Sequence, residues 1–150
     1  MSQFYEYNWP APIANGISLF QTTTANTPLL LNGSYVNKTT RIVNFIDFGI
    51  VPRVTLNSAA DLRAINFLIT GYQNGVFISE TLAGPNANTV TSVNCFDTVT
   101  QIIPTGTTGS TVQVGVASIG YFPMILLNTA KTNTSSTSYA LNIVAATANP

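Results

Sequence analysis

The chain has 150 residues, only 7% of them are charged, and the formal net charge is zero. Its polar residues are mostly hydroxyls and amides, with 22 Thr, 16 Asn and 11 Ser. This length predicts one domain. With so few charged residues, the surface cannot carry the mixed charges that keep a highly soluble cytosolic enzyme from associating. The cations are scattered, so the sequence gives no support for a nucleic-acid partner.

The sequence also excludes several kinds of chemistry. It contains no His and one Cys, Cys95. Nucleophilic catalysis that depends on His is therefore excluded, together with the commonest metal ligand and any disulfide within the chain. No glycine-rich phosphate loop and no recognisable hydrolase carboxylate pair occur. We expect no enzymatic activity, no cofactor and no metal site, and we expect Cys95 to be a small buried hydrophobe.

The first residues predict an arm. Pro10 and Pro12 exclude a helix and favour an extended path over residues 1–14, ahead of a β domain over residues 15–150. The arm carries four aromatic residues, namely Phe4, Tyr5, Tyr7 and Trp9. It either docks on a partner or folds back on its own domain, and the sequence leaves both open. No basic region precedes an apolar core here, so we expect no signal peptide.

Short runs of alternating apolar and β-branched residues predict strands along the chain. These runs span residues 17–21, 41–48, 50–57, 89–96, 99–103, 111–118 and 139–144. Residues 29–36 contain Asn32-Gly33 and predict either a tight hairpin or a bulged strand. In residues 58–64, Asp61 is expected to cap a turn.

Residues 121–127 form a nearly continuous apolar run, which predicts burial on both faces or at an interface. The run includes Phe122 and Met124. No apolar run approaches the roughly 20 residues of a membrane-spanning helix. We therefore expect no membrane partner.

The central stretch, residues 65–82, predicts a β-hairpin. Two alternating runs flank Asn74-Gly75, and Asn and Gly tolerate the positive φ angles that a two-residue hairpin turn demands. A loop of even length places four apolar side chains on one face, whereas an odd loop would set Phe67 and Ile69 beside Ser79 and Thr81. Those four residues are Phe67, Ile69, Ile78 and Leu82.

Glu80 falls on the same face as these apolar residues. A carboxylate there costs several kcal/mol unless it is paired. We expect a structural ion pair with Arg53 or Arg63, which flank the hairpin in sequence, and the alternative is a contact with a neighbouring subunit. Tyr72 and Phe77 lie near the hairpin tip on the opposite face. We expect them to form a cross-strand pair packed against another sheet; exposure to solvent would instead indicate a carbohydrate or protein contact.

Short strands separated by turn signals, with no convincing helix, predict an all-β fold. We expect an antiparallel β-sandwich or barrel, jelly-roll-like in form, with about eight to ten strands.

Several turn and strand-end motifs in the middle half of the chain occur in a distinctive order. They are Ser58, Asp61, Thr70-Gly71, Gly75, Ser79-Glu80-Thr81, Gly84-Pro85-Asn86 and Phe96-Asp97-Thr98-Val99. This order resembles a module of small β-rich virion proteins of tailed bacteriophages, similar to capsid cement and decoration proteins.

The resemblance implies a structural virion protein that binds the outer capsid surface, bridges major capsid subunits and stabilises the head. The implied partner is the major capsid protein, and we expect a homo-oligomer, either a dimer or a trimer. The implied location is the virion, which is assembled in the host cytoplasm. We expect the aromatic arm and the apolar run to supply the contacts, through Phe4, Tyr5, Tyr7, Trp9, Phe122 and Met124. The alternatives are a head-fibre, neck or tail component, or a glycan-binding module of the virion.

Overall fold

Eight β-strands and one short 3-10 helix form within residues 11–121, the part of the chain that the computed structural model describes. The strands are β1 (Ser18–Thr23), β2 (Val43–Asn44), β3 (Val51–Asn57), β4 (Asn66–Gln73), β5 (Val76–Ala83), β6 (Thr89–Cys95), β7 (Thr98–Pro104) and β8 (Thr108–Tyr121). The 3-10 helix, Phe45–Phe48, connects β2 to β3. The expected all-β fold is confirmed.

The strands form two antiparallel sheets of four strands each. Sheet A has the order β1-β8-β3-β6, and sheet B has the order β2-β7-β4-β5. Strands pair 1 with 8, 2 with 7, 3 with 6 and 4 with 5. The chain therefore runs as one long antiparallel hairpin with its turn between β4 and β5. Rolling this hairpin up brings β3 beside β8 and β4 beside β7.

The core lies between the two sheets and follows from the period-two alternation of the strands. On β8, Val112, Val114 and Val116 point inward, and each is at most 2% exposed. Among residues 11–121, three phenylalanines are fully buried, namely Phe45, Phe67 and Phe96. The alternating sequence of each strand thus places one row of side chains in the core and leaves the other row on an outer face.

The β4-β5 hairpin has the predicted turn and register. Asn74 and Gly75 have φ angles of 51° and 74°, which are the positive values of a two-residue type I′ turn. Phe67 lies opposite Leu82, and Gly71 lies opposite Ile78. The even register is confirmed, and the apolar side chains of both strands share the inner face.

The strand or hairpin predicted over residues 29–36 is wrong. This segment crosses from one sheet to the other: the N–H of Leu29 donates to the carbonyl of Ile102 in sheet B at 2.8 Å. The N–H of Asn32 donates to the carbonyl of Ile17, beside sheet A, at 3.1 Å. Because its hydrogen bonds go to two different sheets, the segment buries leucines without forming a ladder of its own.

The single strand predicted over residues 41–48 is also largely wrong. After the two residues of β2, the N–H of Phe45 donates to the carbonyl of Asp97 at 2.7 Å, and the Phe45 ring is fully buried. The chain then forms a 3-10 turn, which Gly49 ends with a φ of 70° and an N–H bond to the carbonyl of Ile46. Burial of one aromatic ring therefore overrides the strand pattern.

The chain already packs on the body at Ile13, within the residues assigned by sequence to the arm. The N–H of Val116 donates to the carbonyl of Ile13 at 3.0 Å. A Cβ atom at Gly115 would lie 2.0 Å from that same carbonyl oxygen, so only glycine allows this approach. The candidate contacts Phe4, Tyr5, Tyr7, Trp9, Phe122 and Met124 and the predicted strand over 139–144 lie outside the described residues.

Candidate functional site

Within the described residues, the outer side of sheet B carries no charged side chain. Among the four strands of this sheet Glu80 is the one charged residue, and its register places it on the inner side with Ile78 and Leu82. Directly paired residues of neighbouring strands share a face. Three such rows cross the outer side: Asn44-Thr98-Tyr72-Phe77, Gln101-Thr70-Ser79 and Ile103-Leu68-Thr81. We call this surface the uncharged face.

An exposed aromatic pair lies at one end of the uncharged face. Tyr72 and Phe77 are directly opposite each other, and their ring centroids are 5.7 Å apart with an interplanar angle of 79°. The cross-strand pair is as expected, but its packing against another sheet is wrong. Tyr72 is 40% exposed and Phe77 is 59% exposed, because both rings point away from sheet A. The pair therefore presents apolar surface to solvent.

Hydroxyl groups occupy the middle of the uncharged face. The Thr70 and Thr100 hydroxyl oxygens lie 3.0 Å apart, and the Thr100 hydroxyl also donates to the Thr70 carbonyl at 3.1 Å. Ser79 lies directly opposite Thr70 in the same row and is exposed. The face thus offers neutral donors and acceptors beside an aromatic pair, which suits a short-range contact that depends on shape.

The outer side of sheet A is different, because much of it is already occupied. Thr55 and Gln113 face outward, yet they are only 7% and 9% exposed. The Gln113 amide donates to Asn57 at 3.0 Å, and the Asn57 amide donates to the Thr89 hydroxyl at 2.8 Å. Residues 13–14 lie over Gly115. The middle of this surface is therefore less accessible than the uncharged face, although Phe20, Val93 and Ile119 on other parts of sheet A are exposed.

Glu80 links the two sheets at their shared side. Its two carboxylate oxygens accept hydrogen bonds from the N–H of Val93 at 2.7 Å and the N–H of Asn94 at 2.8 Å. Both donors belong to β6, the edge strand of sheet A, whereas Glu80 belongs to β5, the edge strand of sheet B. Hydrogen bonds to an ionised carboxylate are among the stronger ones in proteins.

The ion pair predicted between Glu80 and Arg53 or Arg63 is wrong. Pairing of β3 with β6 is irregular between Arg53 and Thr55, and the backbone N–H groups at this irregularity satisfy the Glu80 carboxylate. The Nε atom of Arg53 is buried and bonds no other described residue. The sequence gives no signal of this partner, because backbone N–H groups freed by a bulge become available only in the folded sheet.

Arg63 pairs instead with Asp61, two residues away. The Arg63 Nη2 and Asp61 Oδ2 atoms are 2.7 Å apart, and Asp61 also accepts the backbone N–H of Arg63. These hydrogen bonds from Arg63 lower the pKa of Asp61 to about 2. The expected role of Asp61 in capping a turn is consistent with this geometry.

A cleft of about 380 Å³ borders the uncharged face where Asn44 lies on both surfaces. Tyr35 and Phe48 line it, with ring centroids 4.8 Å apart, together with Asp47.

Cys95 is free and only partly buried, so it is less enclosed than expected. Within residues 11–121, no three His, Cys, Asp or Glu side chains gather as a metal site would require. No helix in that range is long and apolar enough to cross a membrane.

Comparisons of the chain with protein-family models, with curated proteins and with solved structures found no match.

Proposed function

We propose that the protein is a non-enzymatic structural protein of a tailed-phage virion, a cement or decoration protein that binds the outer capsid surface. The observation that carries this proposal is the open, uncharged face with its exposed Tyr72-Phe77 pair. Exposed apolar side chains that lie together on a surface, as Tyr72 and Phe77 do, often mark a contact site for a partner. The resemblance of the central motifs to small virion proteins supports the same function.

The fold is compatible with this proposal. The nested pairing of β1 with β8, β2 with β7, β3 with β6 and β4 with β5 gives the strand order that we assign to a jelly roll. Jelly rolls recur in viral capsid proteins and in lectins. Because one fold serves many functions, the face and its chemistry carry more of the argument than the fold does.

The proposed mechanism is mass action. A protein that binds the assembled lattice, and not its dissociated subunits, stabilises the lattice by its binding free energy. By bridging neighbouring major capsid subunits, many copies with modest interfaces add up. A net charge of zero also reduces repulsion between closely spaced copies on the shell.

The first experiment is to measure how many copies the particle contains, by quantitative mass spectrometry against the major shell protein. A ratio near one supports decoration of the shell. A few copies per particle would replace it with a neck, tail or fibre component. Complete absence from particles would overturn the virion proposal.

A second experiment tests the face itself. Phe77→Ser removes an exposed ring from the uncharged face, and we expect it to weaken binding to particles about tenfold, since aromatic anchors dominate interfaces. Val93→Ser is the matched control, because Val93 is 74% exposed but lies on β6 of the other sheet. Equal loss of binding in both variants would contradict a contact through the uncharged face.

The aromatic arm and the apolar run remain proposed additional contacts, through Phe4, Tyr5, Tyr7, Trp9, Phe122 and Met124. A deletion that tests the arm ends at residue 10, because Ile13 already packs on β8. We expect this truncation to fold and to lose affinity for particles. Undiminished binding would remove the arm from the proposed contact.

A glycan-binding module is the second candidate, and the solvent-facing pair of Tyr72 and Phe77 is the observation that favours it. Exposed aromatic rings beside hydroxyls and amides suit a sugar ring, which has both apolar and polar faces. Titration of the protein with host surface polysaccharide distinguishes the two functions. Saccharide binding that is lost in Tyr72→Ser, with particle binding retained, would favour this candidate.

A further inference from the structure

In the part of the chain that the structure describes, each sheet has two edge strands, and three of these four edges are blocked by neighbouring groups. At β1, the Gln21 side chain accepts the N–H of Leu30 at 3.0 Å and donates to its carbonyl at 2.9 Å. The Asn32 side chain accepts the N–H of Leu19 at 2.9 Å. The outer edge of β1 is therefore covered by the segment that crosses between the sheets.

The edges of β2 and β6 are blocked in other ways. β2 has only two residues, and Val36 forms an isolated bridge with its Val43. At β6, the N–H groups of Val93 and Asn94 donate to the Glu80 carboxylate. Natural sheets commonly close their edges through short strands and through covering groups of this kind.

β5 is the exception among the described edge strands. The two-residue turn is closed by the hydrogen-bonded pair of Gln73 with Val76, and such pairs alternate with non-bonded pairs along an antiparallel ladder. The N–H and C=O groups of Phe77, Ser79 and Thr81 therefore point away from β4. These groups bond no other described residue. The three residues are also exposed.

The sequence of β5 lacks the usual protection of a free edge. Its eight residues, Val76–Ala83, contain no Pro and no Lys. The single charge, Glu80, is directed inward and is held by β6. A long, exposed and uncharged edge is a template for another strand.

We propose that β5 pairs antiparallel with β5 of a second copy of this chain, so that two sheets B join into one continuous sheet. An antiparallel pair of identical strands is self-complementary about a two-fold axis. An axis at Ser79 places Phe77 opposite Thr81 of the second copy. An axis at Glu80 would instead set two like charges opposite each other, which is unfavourable.

The size of the uncharged face favours a second copy as the occupant of this edge. From the usual rise per residue and spacing between strands, the four strands of sheet B present roughly 400 Å² of outer face per copy. A stable interface needs about 800 Å² from each partner. Because the two-fold axis is perpendicular to the sheet, both uncharged faces point to the same side and together reach that size. This use of the doubled face rests on the proposed function, whereas the pairing of β5 does not.

The test is the mass of the protein in solution, measured by size-exclusion chromatography with light scattering over a range of concentrations. We expect a dimer for the full chain and a monomer for Ser79→Pro. Proline has no N–H, but the Ser79 N–H is not used in pairing with β4, so the hairpin keeps its bonds. Ser79→Thr retains the N–H and is the matched control that stays dimeric. A monomeric wild type, or a dimeric Ser79→Pro, would overturn the proposal.

Amide hydrogen exchange on the unmodified protein gives a readout that does not depend on the folding of a variant. In the dimer, the N–H groups of Phe77, Ser79 and Thr81 should exchange slowly, and dilution to monomer should speed their exchange at least about tenfold. Protection that persists in the monomer would mean that the chain covers its own edge, and the proposed pairing would be wrong. A dimer that is absent from particles would refute the proposed function alone, whereas a particle-bound monomer would refute this inference alone.

Discussion

The Asp61-Arg63 pair lies on the surface and makes a local, pH-dependent contribution to stability. Hydrogen bonds from Arg63 lower the pKa of Asp61 from 3.8 to about 2. Because the pKa is lower in the folded state, the stabilisation is fully present above pH 4 and disappears as the pH falls through about 2. We expect an NMR titration of the Asp61 carboxyl to have its midpoint near pH 2. In Arg63→Ala the midpoint should return towards 3.8, whereas Lys38→Ala should leave it unchanged.

Glu80 contributes more to the stability of the fold than Asp61 does, because its two carboxylate oxygens accept hydrogen bonds from two backbone N–H groups of the other sheet. Glu80→Gln retains one carbonyl acceptor and loses the charge, so one N–H group at the bulge is left without a partner. We expect the free energy of unfolding to fall by about 2 kcal/mol, as measured by urea denaturation. Asp61→Asn is the control for loss of an exposed carboxylate, and it should lower the free energy of unfolding much less than Glu80→Gln does. A loss in Glu80→Gln no greater than this control would show that the link does not stabilise the fold.

For individual residues, the sequence predicted which face a side chain lies on better than it predicted the groups that the side chain contacts. Local register is sufficient to place Glu80 on the inner face and Tyr72 opposite Phe77. The partner of Glu80 is a pair of backbone groups on β6, and their availability depends on an irregularity in the pairing of β3 with β6. The exposure of the aromatic pair depends likewise on which sheet covers which face. Neither property is encoded within a few residues of the side chain concerned.

At the level of elements, β4 and β7 approach each other very closely at one point. A Cβ atom at Gly71 would lie 1.9 Å from the carbonyl oxygen of Thr98, where the register of the two strands shifts. We expect Gly71→Ala to reduce the free energy of unfolding by about 2 kcal/mol, since the backbone must move to relieve the overlap. Gly109→Ala is the control, because a Cβ atom there meets no atom within 4 Å. Equal melting temperatures for the two variants would contradict this account.

The elements that the sequence predicted well are those whose determinants are local. Asn74-Gly75 specifies its turn through the φ angles that these two residues tolerate, so the hairpin and its register follow. Residues 29–36 have an apolar pattern that is equally suited to a strand. Their N–H groups bond Ile102 and Ile17, which lie in different parts of the chain. A segment that crosses between sheets cannot be distinguished from a strand by its own sequence.

For the molecule as a whole, composition predicted a surface without much charge but did not locate it. The few charged residues of the described chain are mostly in connections, and each sheet contains a single one, Arg53 in sheet A and Glu80 in sheet B. How accessible the middle of each outer face is depends on the strand order and on where residues 13–14 lie over Gly115. Strand order in turn depends on pairing between distant segments, such as β1 with β8.

The absence of charge from the uncharged face has a measurable consequence for particle binding. Charged interfaces associate faster at low salt, and screening by salt removes that advantage. A contact through hydroxyls, amides and the Tyr72-Phe77 pair has no long-range charge attraction for salt to screen. We expect the association rate, measured by surface plasmon resonance on immobilised particles, to change less than about twofold between about 50 mM and about 500 mM NaCl.

Binding through Lys38 and Arg41 would give the opposite result in the same experiment. Both are exposed, and they lie in the loop that precedes β2, beside the uncharged face and not on it. If the particle were bound through this loop, the association rate would fall about tenfold or more with salt, and Arg41→Ala would remove most of that dependence. Under the proposed contact Arg41→Ala leaves the rate unchanged at both salt concentrations. The salt dependence therefore identifies which of two adjacent surfaces meets the shell, because only one of them carries charge.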